Sequence, residues 1–369
     1  MLKKNKNKLS LKYFDMLLTM IYLLLLFMGL LVVYSASYSP SEGASSLYIR
    51  QMYWIVLGIF TYLMFSLINY RFIVQYIFIF YIFGILLLIY VLLTGYISMG
   101  AQRWISLGSF RMQPSEFFKI IWVVMLARIF NDFNKDKLGI VKIFAKFLLL
   151  IPPFLLVFLQ PDLGTAGIYV LIWGIMLLFR GINMRTLLTL AVFAVVLLIV
   201  VWGNLHDYQR TRVMTLINPA SDPFGSGYHI IQSKVAIGSG GLFGKGFLKG
   251  TQSQLNFLPE KHTDFVFSVI CEEFGFIGGG VLILLFLILF YRIIHIALIT
   301  KEVNAKLLCQ SVLSLIFLQT FINMAMTVGL MPVVGIPMPF ISYGGSAMIT
   351  FSSLMGMVNS VSIRRFSEL

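Results

Sequence analysis

The stretch Tyr13-Phe-Asp-Met-Leu-Leu-Thr-Met-Ile-Tyr-Leu-Leu-Leu-Leu-Phe-Met-Gly-Leu-Leu-Val-Val-Tyr34 carries a single charged residue, Asp15. As a helix rising 1.5 Å per residue it crosses the roughly 30 Å hydrocarbon core of a bilayer. Nine further apolar runs follow: Met52–Ile68, Phe72–Thr94, Pro114–Phe130, Ile143–Leu159, Leu163–Phe179, Leu187–Gly203, Phe265–Tyr291, Leu307–Leu330 and Phe340–Val361. The 369 residues are 59% hydrophobic and 11% charged. That excludes an ordinary soluble globule, whose charged fraction is about 25%. The expectation is an all-α polytopic integral membrane protein with about ten transmembrane helices. Residues 1–369 read as one membrane domain, with a large extracytoplasmic loop, Asn204–Asp264, between helices 7 and 8.

The net charge of +14 is mostly a topology signal, and no nucleic acid is expected as a partner. With the N-terminus inside, the inner segments and their flanking span ends hold 18 of the 28 Lys and Arg. The outer loops hold nine, and Lys119 lies within a span. Basic density is then about threefold higher inside, as the positive-inside rule requires. An even number of spans puts both termini in the cytoplasm. The basic start (Lys3, Lys4, Lys6, Lys8, Lys12) precedes an apolar run without a small-residue cleavage site, so it reads as a retained anchor. Cys271 and Cys309 both lie inside apolar runs, which argues against a disulfide framework.

The unusual sequence gathers at the outer face. In the large loop, Tyr228–Ile237 alternates polar and apolar residues at roughly helical spacing, which predicts a short amphipathic helix. The run Gly238-Ser-Gly-Gly-Leu-Phe-Gly244-Lys245-Gly246 departs from the P-loop pattern: Ser239 stands where its first glycine belongs, and Gly246 where its Ser or Thr belongs. Its glycines can still offer backbone N–H groups to a pyrophosphate, with Lys245 as a point charge. Arg210, Arg212 and Lys261 are the other cations considered for that role. No metal-ligand spacing is present, so no metal site is assigned and no cofactor is certain, although a divalent cation at the pyrophosphate stays open.

Three span openings carry acids. Gln113-Pro-Ser-Glu-Phe-Phe-Lys119 places Glu116 and Lys119 on one helix face about a turn into the membrane. They read as a helix start with an internal ion pair, or as functional intramembrane charges. Asp162, in Gln160-Pro-Asp-Leu-Gly-Thr165, reads as an N-cap or as a third member of that polar cluster. Asp264, in Leu258-Pro-Glu-Lys-His-Thr-Asp264, falls where the large loop meets the membrane, as an N-cap or as a general base at a lipid-accessible cavity. Glu272 and Glu273 lie two to three turns deeper, off the Asp264 stripe, and demand partners of their own. Ser342, in Ser342-Tyr-Gly-Gly-Ser346, opens the last span among small residues that permit close packing or a cavity-lining break.

These segments, together with Ala101-Gln-Arg-Trp-Ile, Asp222-Pro-Phe-Gly-Ser-Gly-Tyr-His-Ile-Ile-Gln-Ser233 and Ala236-Ile-Gly-Ser-Gly-Gly241, resemble in kind and order the SEDS family of shape, elongation, division and sporulation proteins. The match runs essentially from the first span to the last. Lys249-Gly-Thr-Gln-Ser-Gln-Leu-Asn-Phe-Leu-Pro259 and His206-Asp-Tyr-Gln-Arg210 resemble the elongation branch rather than the division branch. The resemblance implies an inverting peptidoglycan glycosyltransferase that polymerises lipid II outside the bacterial cytoplasmic (inner) membrane and releases undecaprenyl diphosphate. It also implies a class B penicillin-binding protein as transpeptidase partner, alongside other membrane proteins of the elongation complex. By motif, Asp264 would be the essential acid, with Glu116, Lys119 and Asp162 beside the central cavity. A lipid II flippase is the competing class, since intramembrane charges suit alternating access. A non-catalytic scaffold would leave Asp264 unexplained.

Overall fold

The structure, a computed structural model, describes residues 13–365 except 40–42, 45, 99–100, 108–109, 132–139, 182–183, 205–206, 220–221, 223–224, 256 and 259. The basic N-terminal segment, much of the inner loop at 132–139, His206 and part of the Asp222–Ser233 motif therefore lie outside the described residues. The helices are α1 (Met16–Ser37), α2 (Ser46–Leu67), α3 (Tyr70–Gln75), α4 (Ile77–Thr94), α5 (Pro114–Asn131), α6 (Ile140–Phe147), α7 (Ile151–Leu159), α8 (Leu163–Arg180), α9 (Met184–Gly203), α10 (Asp207–Ile217), α11 (Ser226–Ser239), α12 (Thr251–Gln254), α13 (Val266–Ile299), α14 (Val303–Thr327) and α15 (Gly345–Arg364).

Helical structure falls within each of the ten expected spans, the third and fifth being divided into α3–α4 and α6–α7. Among the described residues, α1, α2, α4, α8, α13, α14 and α15 are long and apolar enough to cross a membrane. Helix α5 has the length but carries Glu116, Lys119 and Arg128. Short strands, unannounced by the sequence, occupy two of the connections between helices. Strands β1 (Tyr38–Ser39) and β2 (Gly43–Ala44) pair between α1 and α2, and β3 (Tyr96–Ser98), β4 (Ala101–Leu107) and β5 (Phe110–Met112) form an antiparallel sheet between α4 and α5.

The bundle is built around α14 and α15, whose apolar windows are 78% and 89% buried, against 17% for α2. Small residues permit this enclosure. A Cβ on Gly58 would meet Ser352 Oγ at 2.8 Å, and one on Gly356 would meet the Tyr62 carbonyl at 2.4 Å, so α2 and α15 cross almost backbone to backbone. At the end of the bundle where α1 begins, Asp15 caps α1 through the Leu18 N–H (2.9 Å), accepts from Arg292 (2.8 Å) and donates its own N–H to Asn359 Oδ1 (3.0 Å). One acid thus joins α1, α13 and α15.

The eighth span differs from the uniform helix expected. Helix α13 breaks at Gly275 (φ 66°, ψ −160°), and the glycine run of the large loop is inserted at the break. Lys245 and Gly246 N–H donate to the Glu272 and Glu273 carbonyls (both 3.0 Å), while Phe276 and Ile277 N–H donate to the Gly241 and Leu242 carbonyls (2.8 and 3.2 Å). In an unbroken helix 276 and 277 would donate to 272 and 273 themselves. The loop substitutes for both sides of that ladder. The approach requires glycine: a Cβ on Gly275 would stand 2.3 Å from Gly244 N, and one on Gly244 would stand 2.1 Å from the Glu273 carbonyl oxygen. Gly275→Ala should therefore lower the melting temperature in detergent, its left-handed backbone alone costing about 1–3 kcal/mol. Gly280→Ala, where an added Cβ meets nothing within 4 Å, should leave melting unchanged or slightly higher. Equal melting of the two variants would refute the insertion.

Candidate active site

The Asp264 turn is folded by one carbonyl. Glu260, held at φ 48°, accepts from the N–H groups of Thr263 (3.1 Å), Asp264 (3.0 Å) and Phe265 (3.3 Å). A non-glycine residue in this region marks a position fixed by its surroundings. The turn is fastened sideways to the segment before α15. Ser342 Oγ donates to the Thr263 carbonyl (2.5 Å) and accepts from Met338 N–H (2.8 Å), and Tyr343 N–H donates to the His262 carbonyl (2.8 Å). Ser342 thus buttresses the turn, a structural use of a residue expected to line the cavity.

Asp264 does not cap α13: the cap position is Phe265, and no side chain bonds there. The residue is partly exposed, and a Cβ added to Gly335 would lie 3.6 Å from its Oδ2. Burial first, and Glu260 after it, raise its carboxyl to about 7 against the opposing charge of Arg212. Burial likewise lowers His229 and His262, which keeps both imidazoles toward their neutral forms. The site therefore offers a carboxyl that exchanges its proton near neutral pH, as a general base requires.

A cleft of about 40 Å³ is lined by Arg103, Pro161, Leu163, Arg212 and Val213, and by Pro332 and Val334, the last of these preceding Gly335, which backs the Asp264 carboxyl. Arg103 comes from β4 and is aimed by its bonds to the carbonyls of Gln160 (2.9 Å) and Pro161. Its guanidinium lies 4.0 Å from Asp162. Within Ala101-Gln-Arg-Trp-Ile nothing local marks Arg103 for this place. Its position depends on the sheet, which the hydropathy pattern did not announce.

Asp162 is the N-cap of α8, accepting from Thr165 N–H at 3.2 Å. It also accepts from Gln113 Nε2 at 3.1 Å. Glu116 and Lys119 form the expected i,i+3 pair at 2.5 Å, both buried. The polar cluster is joined through Gln113 at the head of α5 rather than through a Lys119–Asp162 bond. Glu116 Oε2 is buried and has no hydrogen-bond partner.

Two expected site cations are engaged elsewhere. Lys245 bonds Glu272 (2.9 Å) and Thr251 Oγ1 (2.7 Å), and the N–H groups of Lys245 and Gly246 are spent on α13. The expectation of a glycine-rich cradle free for a pyrophosphate is corrected: the fully buried Glu272 carboxylate claims the lysine, and the helix break claims the glycines. Arg210 donates to the Trp202 (3.3 Å) and Gly203 (3.1 Å) carbonyls, capping α9 rather than facing Asp264. Helix α11 forms over the predicted amphipathic stretch. Its buried residues Ile230, Ser233 and Ala236 face the bundle, and Ser233 bonds Ser268 (2.6 Å) and the Thr327 carbonyl (2.6 Å). No group of three or more His, Cys, Asp or Glu suited to a metal occurs among the described residues.

Comparison with known proteins agrees with this architecture. Residues 15–366 match the family model FTSW_RODA_SPOVE, described as cell cycle protein. The chain is 45% identical over 293 residues to the peptidoglycan glycosyltransferase MrdB of Escherichia coli (strain K12), covering 77% of each. It is 33% identical to the peptidoglycan glycosyltransferase RodA of Treponema pallidum (strain Nichols), covering 95% of this chain and 98% of that one. A solved chain from a study of polymerization and crosslinking by a peptidoglycan synthase complex superposes with a TM-score of 0.80 at 30% identity, over 96% of this chain and 98% of that one. The chain belongs to the FtsW/RodA/SpoVE family, the SEDS proteins whose motifs it carries.

The buried pair gives a test. Removing one partner leaves an uncompensated charge, at about 3–5 kcal/mol when burial is deep. Lys119→Ala should melt well below the double variant Lys119→Ala/Glu116→Ala. Additive losses in the two single variants and the double would show that the charges do not support each other.

Proposed function

We propose that Asp264 is the general base of a peptidoglycan glycosyltransferase that polymerises lipid II at the outer face of the bacterial cytoplasmic membrane. The chain is a multi-pass membrane protein and a glycosyltransferase of the kind its relatives are named for. The observation that carries the assignment of Asp264 is its placement at the end of a span, on a partly exposed residue whose carboxyl burial raises to about 7, near a cleft lined by Arg103 and Arg212. The positive-inside count supports cytoplasmic termini, which puts this site outside.

In this reading the donor sugar is α-linked to a pyrophosphate and the product is β-1,4-linked, so one in-line displacement inverts the anomeric carbon. Asp264 takes the proton of the attacking 4-hydroxyl while the new oxygen–carbon bond forms. The bond to the pyrophosphate breaks, and undecaprenyl diphosphate leaves with the electron pair. General base assistance of this kind contributes about 10²–10⁴-fold. Arg103 and Arg212 stabilise the charge developing on the leaving group, the role earlier considered for Arg210 and Lys245. Two guanidiniums there supply charge that a divalent cation would otherwise bring. The Gln113–Asp162 contact and the Glu116–Lys119 pair hold the wall of the site. The solved relative comes from a synthase complex, which supports a class B penicillin-binding protein as partner, and identity to MrdB and RodA supports the elongation role.

The decisive experiment gives the purified protein labelled lipid II and its transpeptidase partner, and reads glycan chains. Liposomes assayed for lipid translocation test the flippase reading in parallel. Asp264→Asn should abolish chain formation. Above pH 7 it should melt no lower than the unaltered protein, because it removes a carboxylate that burial disfavours. Activity of the unaltered protein should rise with pH through about 7 as Asp264 loses its proton. Full polymerisation by Asp264→Asn would overturn the assignment.

A further inference from the structure

The turn that carries Asp264 is held from beneath by a residue of another helix. Asn323 of α14 is fully buried. Its amide Nδ2 donates one hydrogen to the Asp264 carbonyl (3.1 Å) and one to the Ile336 carbonyl (2.8 Å). Its Oδ1 is buried and has no partner. The side chain is therefore used as a donor pair, with its acceptor left unmet in the protein interior. The two carbonyls belong to the two chain segments that meet at the site. Asp264 carries the carboxyl, and Ile336 lies just after Pro332 and Val334, which line the arginine cleft. Gly335 between them backs the carboxyl.

We propose that Asn323 is a positioning residue for the glycosyl transfer, a buried two-donor clamp that sets the Asp264 carboxyl in register with the wall of the arginine cleft. It touches neither substrate nor the reacting atoms. Ser342 and Tyr343 fasten the same turn at Thr263 and His262, one and two residues before Asp264. Asn323 holds the peptide of the acid itself. Position matters because a displacement of about 1 Å from attack geometry can cost about 10²-fold in rate. Leucine has nearly the same shape and no donor, and a protonated aspartate has one donor. The role therefore predicts graded loss across Asn, Asp and Leu at 323.

The inference rests on Asp264 being the base, and the test keeps the two apart. Polymerisation kinetics on lipid II are measured for the full-length protein with its partner, for Asn323→Asp, Asn323→Leu and Asp264→Asn, and for Gln319→Leu as control. Gln319 lies one turn away on α14, fully buried, with both amide atoms unpartnered, so its change removes a buried amide without touching the clamp. Asn323→Leu should lower kcat at least tenfold with KM within twofold, and should move the acid limb of the pH profile downward as the released carboxyl becomes better hydrated. Asn323→Asp should fall between it and the unaltered protein, and Gln319→Leu should keep the original kcat and pH profile. Unchanged kcat and pH profile in Asn323→Leu, or the same loss in Gln319→Leu, would overturn the clamp. If Asn323→Leu does not accumulate in membranes, Asn323→Asp decides, and full kcat there overturns it. Activity in Asp264→Asn would instead remove the base assignment.

Discussion

A bilayer core offers no water to a broken helix, so every backbone group freed at a break must find a partner in the protein. At Gly275 of α13 that requirement brings the large loop before α13 into the bundle. The Gly241–Gly246 turn supplies two carbonyls and two N–H groups to the two halves of the helix. Once this turn is seated, Lys245 reaches Glu272 and the backbone of Gln252 and Ser253 wraps the same carboxylate (2.8 and 3.0 Å). Glu273 takes the hydroxyl of Ser35 from α1. The chain between the inserted turn and the next span is then short and anchored, and it ends at Asp264. The placement of the acid follows from how the helix break is satisfied.

The same economy of charge sets Asp264 apart from the paired acids, while Glu273, also without a salt bridge among the described residues, is buried against Ser35. Asp15, Glu116 and Glu272 each meet a cation within 3 Å, and Asp162 has Gln113 and its own helix start. Among the described residues Asp264 has neighbours in Glu260 and Arg212 but no salt bridge within 4 Å. Paired carboxylates hold helices together and have little reason to exchange protons. An unpaired one at a wet boundary can.

What the sequence made legible was set by how local each determinant is. A span is recognised from its own residues, and the Glu116–Lys119 pair follows from helical spacing alone. The break at Gly275 did not stand out because Gly278, Gly279 and Gly280 follow it, and only the distant Gly244 distinguishes them. Lys245 looked available because its partner lies 27 positions along the chain. Arg103 and Asn323 escaped assignment for the same reason: one is aimed by carbonyls of the link between α7 and α8, the other by carbonyls of two separate loops. Asp264 stands out in the sequence because the hydropathy pattern places it at a membrane boundary. Its charge state does not, since that depends on burial and on Glu260 and Arg212.

Helix α15 has an apolar window of mean hydropathy 1.3, little above that of α2 at 1.2, yet of the seven long apolar helices among the described residues it is the most enclosed and α2 the least. A helix so rich in serine gains little from lipid and much from its neighbours. Its docking surface is laid down long before it is made: Tyr22 of α1 waits for Ser352, 330 positions later, and Tyr62 of α2 waits for Asn359, 297 positions later. Those two hydroxyls take these partners only from the last span, so the closure of the bundle around α1 and α2 depends on the segment of chain farthest from them.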